Sequence, residues 1–463
     1  MTPDEALGKT VSEVAPELRT RRLTSLALTE ASLRKLDTVG RELRSVASLL
    51  GDRALAEART ADREIAAGRY RGPLHGIPYG AKDLLSTAGT PTSWGATPLR
   101  NQVFDRDAAV VRRLREAGAV LVAKLAMIEL AGGMGYTTAT ASATGAALNP
   151  WDRKRWTCGS SSGSGGATAA GLVGFSIGSE TWGSILCPSA LNGVTGLRPT
   201  YGLVPRTGAM ALSWTMDKIG PMARSAADCE AILEAIAGHD PDDPGSLTEA
   251  LPARGATDVR SLRVGVYRPS FEKFGDREIE AAFDEAVKTL EGDGIRVTDV
   301  KMPALPFDET AILIIVVDAA AAFEPLISSG RIRELKDPGA VVNARAARSI
   351  RAVDYVKAMQ ARRVMQHELA KLFETVDVIL SPAVPILAPR IEEKLDAAFA
   401  YSDPLGSGGN LAGLPALSLP CGFSRSGLPS GMQIVGPPLG ERSLLKLGKR
   451  YQELTDWETQ RPS

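Results

Sequence analysis

The stretch that decides the fold is Gly159-Ser-Ser-Ser-Gly-Ser-Gly-Gly166, eight residues that contain only glycine and serine. This composition is unsuited to the interior of a helix or strand, so the stretch is either a flexible linker or a site lined by backbone. A linker is normally followed by polar sequence, whereas here the small, apolar segment Ala167-Thr-Ala-Ala-Gly-Leu-Val-Gly-Phe175 follows. That segment suits a buried helix, whose free amino-terminal N–H groups favour developing negative charge. We therefore interpret the stretch as a site.

A serine nucleophile elbow is one hypothesis for this site. The pattern Gly-x-Ser-x-Gly fits residues 159–163 with Ser161 as the nucleophile. However, a run so rich in glycine and serine matches the pattern through composition alone, and residues 152–156 form a poor strand to precede an elbow. The base would have to be His239 or His367, and neither has a distinctive sequence context.

A lysine supplies a second hypothesis. Gly76-Ile-Pro-Tyr-Gly-Ala-Lys-Asp83 places Lys82 within an otherwise apolar segment, and a buried lysine loses its charge readily because desolvation penalises the ammonium. A neutral amine beside serine hydroxyls is a competent general base. A second glycine- and serine-containing element, Ser179-Glu-Thr-Trp-Gly-Ser-Ile-Leu-Cys-Pro188, follows the first. Without a well-placed histidine, we expect a Ser–Ser–Lys arrangement.

These segments resemble the motifs of the amidase signature family. Cys158-Gly-Ser-Ser-Ser-Gly-Ser164 is similar to the family's GGSSGGS motif, and Glu180-Thr-Trp-Gly-Ser-Ile-Leu186 is similar to its DTGGSIR motif. The two motifs are joined without a gap, so Ser160 and Ser184 have the family's separation. Further similar segments flank them: Leu74-His-Gly-Ile-Pro-Tyr-Gly-Ala-Lys-Asp83, Asn149-Pro-Trp-Asp152, Gly413-Leu-Pro-Ala-Leu-Ser-Leu-Pro420 and Gly427-Leu-Pro-Ser-Gly-Met-Gln433.

The resemblance implies a catalytic role for each matching residue. Ser184 is the expected nucleophile. Ser160, on a cis peptide, is the expected bridging serine that passes the proton to Lys82, the neutral base. The resemblance also implies an oxyanion hole built from the backbone N–H groups of Thr181, Trp182, Gly183 and Ser184. It places Met134, Tyr136 and Ser161 in contact with substrate, and it implies neither a cofactor nor a metal.

Three residues depart from the family's nucleophile motif. Glu180 replaces its aspartate, Trp182 replaces a glycine, and Leu186 replaces its arginine. We therefore expect the carboxylate–arginine support beneath the oxyanion loop to be either absent or rebuilt. Trp182 either walls the substrate cleft or points into the core, since tryptophan serves both roles.

The predicted fold class is α/β. The resemblance implies one large α/β/α domain around a mixed, mostly parallel central sheet covered by helices. Residues 1–70 are predicted to be a helical segment packed on the core, because leucines recur at helical spacing through residues 3–68. Residues 71–463 are predicted to form the amidase signature domain, with a loop at residues 238–258. The apolar run 311–323 is too short to span a bilayer and predicts a buried helix or strand.

The amino-acid composition limits the classes of binding partner that we expect for this protein. The 463 residues include 54 Lys+Arg and 54 Asp+Glu, a balance that argues against a nucleic-acid or anionic-membrane binder. Four scattered cysteines and three histidines do not predict a metal site. The amino terminus lacks an apolar signal segment, so we expect a cytoplasmic protein. The expected partner is a small-molecule amide or carbamate, and the sequence leaves a homodimer open.

The function predicted from these features is amide C–N bond hydrolysis through an acyl-enzyme. A carbamate or ester hydrolase would use the same machinery. The glutamine-hydrolysing A-type subunit of a tRNA-dependent amidotransferase shares both serines, although Trp182 and Leu186 argue against it. A non-catalytic binding protein is an unattractive alternative, because Lys82, Ser160 and Ser184 are all retained.

Overall fold

The computed structural model describes residues 1–255, 258–269 and 275–462, and a mixed sheet runs through them. The strands of the described residues are β1 Val46–Leu49, β2 Pro78–Lys82, β3 Val120–Leu125, β4 Leu148–Asn149, β5 Asp152–Trp156, β6 Phe175–Glu180, β7 Thr195–Arg198, β8 Lys218–Ala223, β9 Arg263–Val266, β10 Arg296–Asp299, β11 Val378–Pro382, β12 Ala416–Phe423 and β13 Pro429–Val435. Eleven of them form the main sheet in the order β1-β3-β2-β6-β8-β7-β12-β13-β11-β9-β10, and β4 and β5 form a separate pair.

Parallel pairing is concentrated in two groups of three strands. One group is β3-β2-β6 and the other is β11-β9-β10, whereas antiparallel pairs join the strands between them. The strands of the first group are buried along their whole length, as expected where helices cover a parallel sheet. The prediction of an α/β fold with a mixed sheet flanked by helices is confirmed.

Helices flank this sheet and connect its strands. They are α1 Pro3–Ala6, α2 Val11–Arg19, α3 Ser25–Lys35, α4 Gly51–Ala66, α5 Ala109–Glu116, α6 Ser162–Ala169, α7 Leu186–Asn192, α8 Ala226–Ile236, α9 Arg277–Gly292, α10 Phe307–Ala322, α11 Glu324–Ser328, α12 Ala340–Ser349, α13 Ala352–Thr375, α14 Leu395–Ala398, α15 Pro404–Leu411 and α16 Glu441–Leu454. The glycine- and serine-rich α6 is buried at every position, because residues without large side chains let neighbouring backbone approach closely.

The amino-terminal segment differs from the prediction at one place. Residues 3–68 are mainly helical, but β1 interrupts them and pairs antiparallel with β3 at the edge of the sheet. Arg44 has a left-handed φ of 53°, which ends the preceding helical path. The leucine spacing therefore predicted the helices correctly and was wrong for β1, since a four-residue edge strand is too short to disturb a helical pattern.

Three further sequence predictions concern single segments. Residues 152–156 do form a strand, β5, which pairs with β4 outside the main sheet, so their interpretation as a poor strand is wrong. The apolar run 311–323 lies largely in helix α10, and no helix in the described residues is long and apolar enough to cross a bilayer. Within the predicted loop 238–258, the described part contains no helix or strand, and residues 256–257 lie outside the described residues.

Candidate active site

The sheet brings the candidate lysine and the loop 181–184, which carries the candidate nucleophile, to one edge. Lys82 is the last residue of β2, and Glu180 is the last residue of β6, the parallel neighbour of β2. The carboxyl ends of parallel neighbours meet at the same edge of a sheet. Ser184 lies in the loop after β6, and Ser160 lies just before α6, after a cis Gly159–Ser160 peptide bond.

Lys82 is wholly buried and contacts two serines. Its Nζ lies 2.6 Å from Ser160 Oγ, 3.0 Å from Ser179 Oγ and 3.2 Å from the Ser179 carbonyl oxygen. Burial lowers the pKa of Lys82 to about 7, although the charges of Asp217 and Glu180 partly oppose this change. A large fraction of the amine is therefore neutral near pH 7 and able to accept a proton from Ser160.

Asp83, the neighbour of Lys82 in sequence, interacts with a different set of groups. Its carboxylate lies 3.1 Å from Lys124 Nζ and accepts hydrogen bonds from the backbone N–H and hydroxyl of Ser93. Lys124 in turn donates to the Thr92 hydroxyl at 2.7 Å. Asp83 is therefore engaged by Lys124 and Ser93 and not by the Lys82 amine.

The loop 181–184 brings a serine hydroxyl and several backbone N–H groups to a cleft. Ser184 lines this cleft, and no described residue forms a hydrogen bond with its hydroxyl. The backbone N–H groups of residues 181–184 likewise find no acceptor in the described part of the chain. Gly183 has a φ of 76°, which glycine adopts without strain. Trp182 has no positive φ, so its backbone accommodates a side chain where the family has glycine.

A buried ion pair supports this loop from below. Glu180 accepts hydrogen bonds from the N–H groups of Ile185 and Leu186, and its other oxygen lies 2.7 Å from Arg198 Nη1. Asn410 also donates to Glu180, at 3.1 Å. Burial opposes ionisation of Glu180, but the charges of Arg198 and Lys218 and these hydrogen bonds lower its pKa to about 2. The carboxylate–arginine support is therefore rebuilt. Its arginine is Arg198 from β7, because Leu186 occupies the position of the family's arginine.

Thr181 is held on two sides. Its hydroxyl donates to Asp217 at 2.5 Å, and its carbonyl oxygen accepts from Lys218 Nζ at 3.4 Å. Lys218 also donates to Asn410 Oδ1 at 2.7 Å, which connects it to the network around Glu180. These contacts fix the position of the loop and of its N–H groups from outside the loop.

Trp182 lies at the edge of the cleft and is anchored across it. Its Nε1 donates to Asp403 Oδ2 at 3.0 Å, while its ring lines the cleft and packs against a cluster that includes Met216 and Phe307. The structure thus combines the two alternatives for Trp182: the indole forms part of the cleft wall and also contacts the core.

The three residues expected to contact substrate have different positions. Tyr136 lines the cleft. Met134 is buried and is not among the described residues lining the cleft. Its carbonyl oxygen accepts a hydrogen bond from Asn343, which does line the cleft. Ser161 is wholly buried, and its hydroxyl donates to the Ser179 carbonyl oxygen at 3.1 Å. Strand β5 supplies the preceding strand that an elbow needs, but the Ser161 hydroxyl is bonded to Ser179 and to neither candidate histidine.

Several features of the site escaped sequence reasoning. Cys158 and Cys187 form a disulfide beside the two serine motifs, yet their spacing carried no recognisable pattern. The far wall of the cleft comes from residues after 300, for which the sequence motifs made no prediction, and includes Ile312, Phe399 and Asp403. In the described part of the chain, no group of three His, Cys, Asp or Glu side chains is suited to hold a metal ion.

Comparisons with known proteins place the chain among amidases. The sequence profile of the family described as Amidase matches residues 27–445. The chain is 37% identical to the A subunit of glutamyl-tRNA(Gln) amidotransferase from Chloroflexus aggregans over 98% of both sequences. Its structure is similar to that of the native peptide amidase from Stenotrophomonas maltophilia, with a TM-score of 0.84, 31% identity and 96% of each chain covered.

A further structural relative is the A subunit of glutamyl-tRNA(Gln) amidotransferase from Thermotoga maritima. Its TM-score is 0.76 at 28% identity, and the match covers 98% of this chain and 94% of that one. The family profile extends over most of the chain and includes the segments that contain Lys82, Ser160 and Ser184. The chain therefore belongs to the amidase signature family of enzymes that act on C–N bonds.

Proposed function

We propose that this protein hydrolyses an amide C–N bond, with Ser184 as nucleophile, Ser160 as proton relay and Lys82 as base. The observation that carries the proposal is the 2.6 Å contact between Lys82 and Ser160, made by an amine whose burial brings its pKa to about 7. A serine hydroxyl is a weak nucleophile unless a base removes its proton as it attacks.

In the proposed first step, Ser184 Oγ attacks the substrate carbonyl carbon while its proton moves to Ser160 and the Ser160 proton moves to Lys82. The new C–O bond leaves negative charge on the carbonyl oxygen, which the free N–H groups of residues 181–184 stabilise. Collapse of this intermediate breaks the C–N bond, and the proton returns from Lys82 through Ser160 to the departing amine. Water then attacks the acyl-enzyme by the same route and releases the acid.

The buried ion pair has a positioning role in this proposal. Glu180 accepts from Ile185 and Leu186, which follow Ser184 directly, so it fixes the turn that carries the nucleophile. Arg198 keeps Glu180 ionised in a site without solvent. Small displacements of reacting groups reduce rates strongly, so a rigid support is expected beneath the loop.

Two alternative substrates share these steps. A carbamate or ester would form the same kind of intermediate at Ser184. Glutamine hydrolysis within a tRNA-dependent amidotransferase is favoured by the names of the curated relatives, which are amidotransferase A subunits of nearly the same length. In that case the chain would act with partner subunits and, through them, with tRNA. A glutaminase assay and a search for co-purifying subunits distinguish this alternative.

The test is a panel of anilides, primary amides, carbamates and esters, assayed with wild-type protein and with Ser184→Ala. We expect Ser184→Ala to lose on the order of 10⁴–10⁶ in rate while staying folded. Ser161→Ala is assayed beside it, because Ser161 is the alternative nucleophile of the elbow hypothesis and its hydroxyl donates to the Ser179 carbonyl oxygen. A serine-directed sulfonyl fluoride that modified Ser161 and spared Ser184 would contradict the proposal.

A further inference from the structure

The cleft beside Ser184 is walled mainly by aromatic and branched aliphatic side chains. Its volume is about 440 Å³. Helix α10 contributes the branched residues at its mouth, where Ile312 remains 53% exposed. The apolar residues that define its shape are Tyr136, Leu186, Ile312, Val316, Phe399 and Tyr401. A surface of this kind gains free energy by removing apolar groups of a ligand from water.

Two charged side chains that line the cleft neutralise each other. Glu180 and Arg198 are both wholly buried and form an ion pair at 2.7 Å. Arg198 also donates from Nε to the Leu414 carbonyl oxygen, whereas its Nη2, which faces Gly409, is buried without a hydrogen-bond partner among the described residues. The charge of Arg198 is balanced by Glu180, and among the described residues that line the cleft no other cation is present.

Asp403 is the other carboxylic acid among the described residues of this lining. Its carboxylate accepts hydrogen bonds from Trp182 Nε1 and from the backbone N–H of Gly406, both at 3.0 Å. Burial, helped by the charge of Asp308, raises the pKa of Asp403 to about 7, although both hydrogen bonds and the charge of Arg198 oppose this change. A substrate carboxylate would therefore meet a second acid, while the one cation of the described lining, Arg198, is already paired with Glu180.

We propose that the substrate of this enzyme presents a neutral, apolar acyl group to the cleft, and that amides bearing a carboxylate, including glutamine, are poor substrates. This inference rests on the proposed function of Ser184. A charge moved from water into an apolar site without a partner is strongly disfavoured, whereas a branched alkyl group is favoured there.

The test compares two amides of the same shape. L-Glutamine and 4-methylpentanamide share the carboxamide and its carbon chain, but the second has methyl groups where glutamine has its ammonium and carboxylate. We expect kcat/KM for 4-methylpentanamide to exceed that for L-glutamine by at least ~100-fold, because the zwitterion loses hydration that the cleft does not replace. Ser184→Ala should abolish turnover of both.

A pair of matched variants tests whether the cleft itself makes this distinction. Ile312 and Val364 are each 53% exposed and lie on helices α10 and α13, but of the two Ile312 lines the cleft. Ile312→Lys supplies a cation at the mouth, so the ratio of kcat/KM for L-glutamine to that for 4-methylpentanamide should rise by roughly tenfold. Val364→Lys should leave the ratio unchanged.

The outcomes separate this inference from the function on which it rests. Ser184-dependent hydrolysis of L-glutamine at a rate equal to or above that of 4-methylpentanamide overturns the inference and leaves acyl transfer intact. The inference is also overturned if a serine-directed sulfonyl fluoride labels Ser184 but the protein hydrolyses neither amide. If neither amide reacts and Ser184 is not labelled, the proposed function fails, and the inference fails with it.

Discussion

Acidification is expected to switch off catalysis by protonating Lys82. Burial lowers the pKa of this lysine from 10.5 to about 7, which corresponds to roughly 5 kcal/mol against the charged amine. An ordinary lysine would be neutral in about 0.03% of molecules at pH 7, whereas here about half are neutral. Below pH 7, kcat/KM should fall about tenfold for each pH unit and reach about 1% of its plateau at pH 5.

The assay is a kcat/KM profile from pH 5 to pH 9 for wild type and variants. Lys82→Ala should remove most of the rate and the acidic limb, and Lys82→Arg should not restore activity, because guanidinium stays protonated. Asp217→Asn removes a charge that raises the pKa of Lys82, so the limb should move to lower pH. Asp403, whose pKa is also about 7, is the necessary control, and Asp403→Asn should retain the limb.

One result would refute this reasoning. His75 is buried beside Glu64 and Arg71, and its ring nitrogen Nδ1 accepts a hydrogen bond from the Arg71 N–H. If Lys82→Ala kept wild-type activity and the limb vanished in His75→Ala, a histidine would be the base. The Ser160–Lys82 relay would then be wrong.

Four other changes test the surroundings of the site. Lys82→Met should raise the free energy of unfolding by about 2 kcal/mol at pH 7. Burial of the charged amine costs stability fully below pH 7 and not above pH ~10.4, and the lost hydrogen bonds offset part of the gain from its removal. Equal urea midpoints for wild type and variant at pH 7 would contradict this. Arg198→Met should lower the free energy of unfolding by roughly 3–5 kcal/mol, because Glu180 stays buried without its ion-pair partner. The double variant Glu180→Gln/Arg198→Met should recover part of this loss in the same denaturation assay. Reducing the Cys158–Cys187 bridge, which spans 29 residues, should cost about 3.5 kcal/mol, and Cys158→Ser/Cys187→Ser should be insensitive to reductant. Trp182→Gly should change the ranking of amide substrates more than the maximal rate, and an unaltered ranking would exclude contact between the indole and substrate.

Local sequence was sufficient for much of the fold and for the pairing of Lys82 with Ser160. The α/β class followed from alternating helical and strand patterns, because each element carries its own hydrophobic period. Lys82, Ser160 and Ser184 were proposed because the motifs that contain them resemble those of the amidase signature family. The short strand β1 was missed for the converse reason: its four residues form a strand through pairing with β3, a partner distant in sequence.

The remainder of the site depended on tertiary contacts. Glu180 and Arg198 are 18 residues apart, and Trp182 and Asp403 are 221 apart, so no sequence period relates either pair. Arg198 became the partner of Glu180 because β7 and β6 both border β8 in the sheet, which the separate motifs did not reveal. The motifs thus determined which atoms carry out the proposed chemistry. The packing of remote helices against that edge of the sheet decided the shape and charge of the cleft, because those properties arise from side chains that meet only after folding.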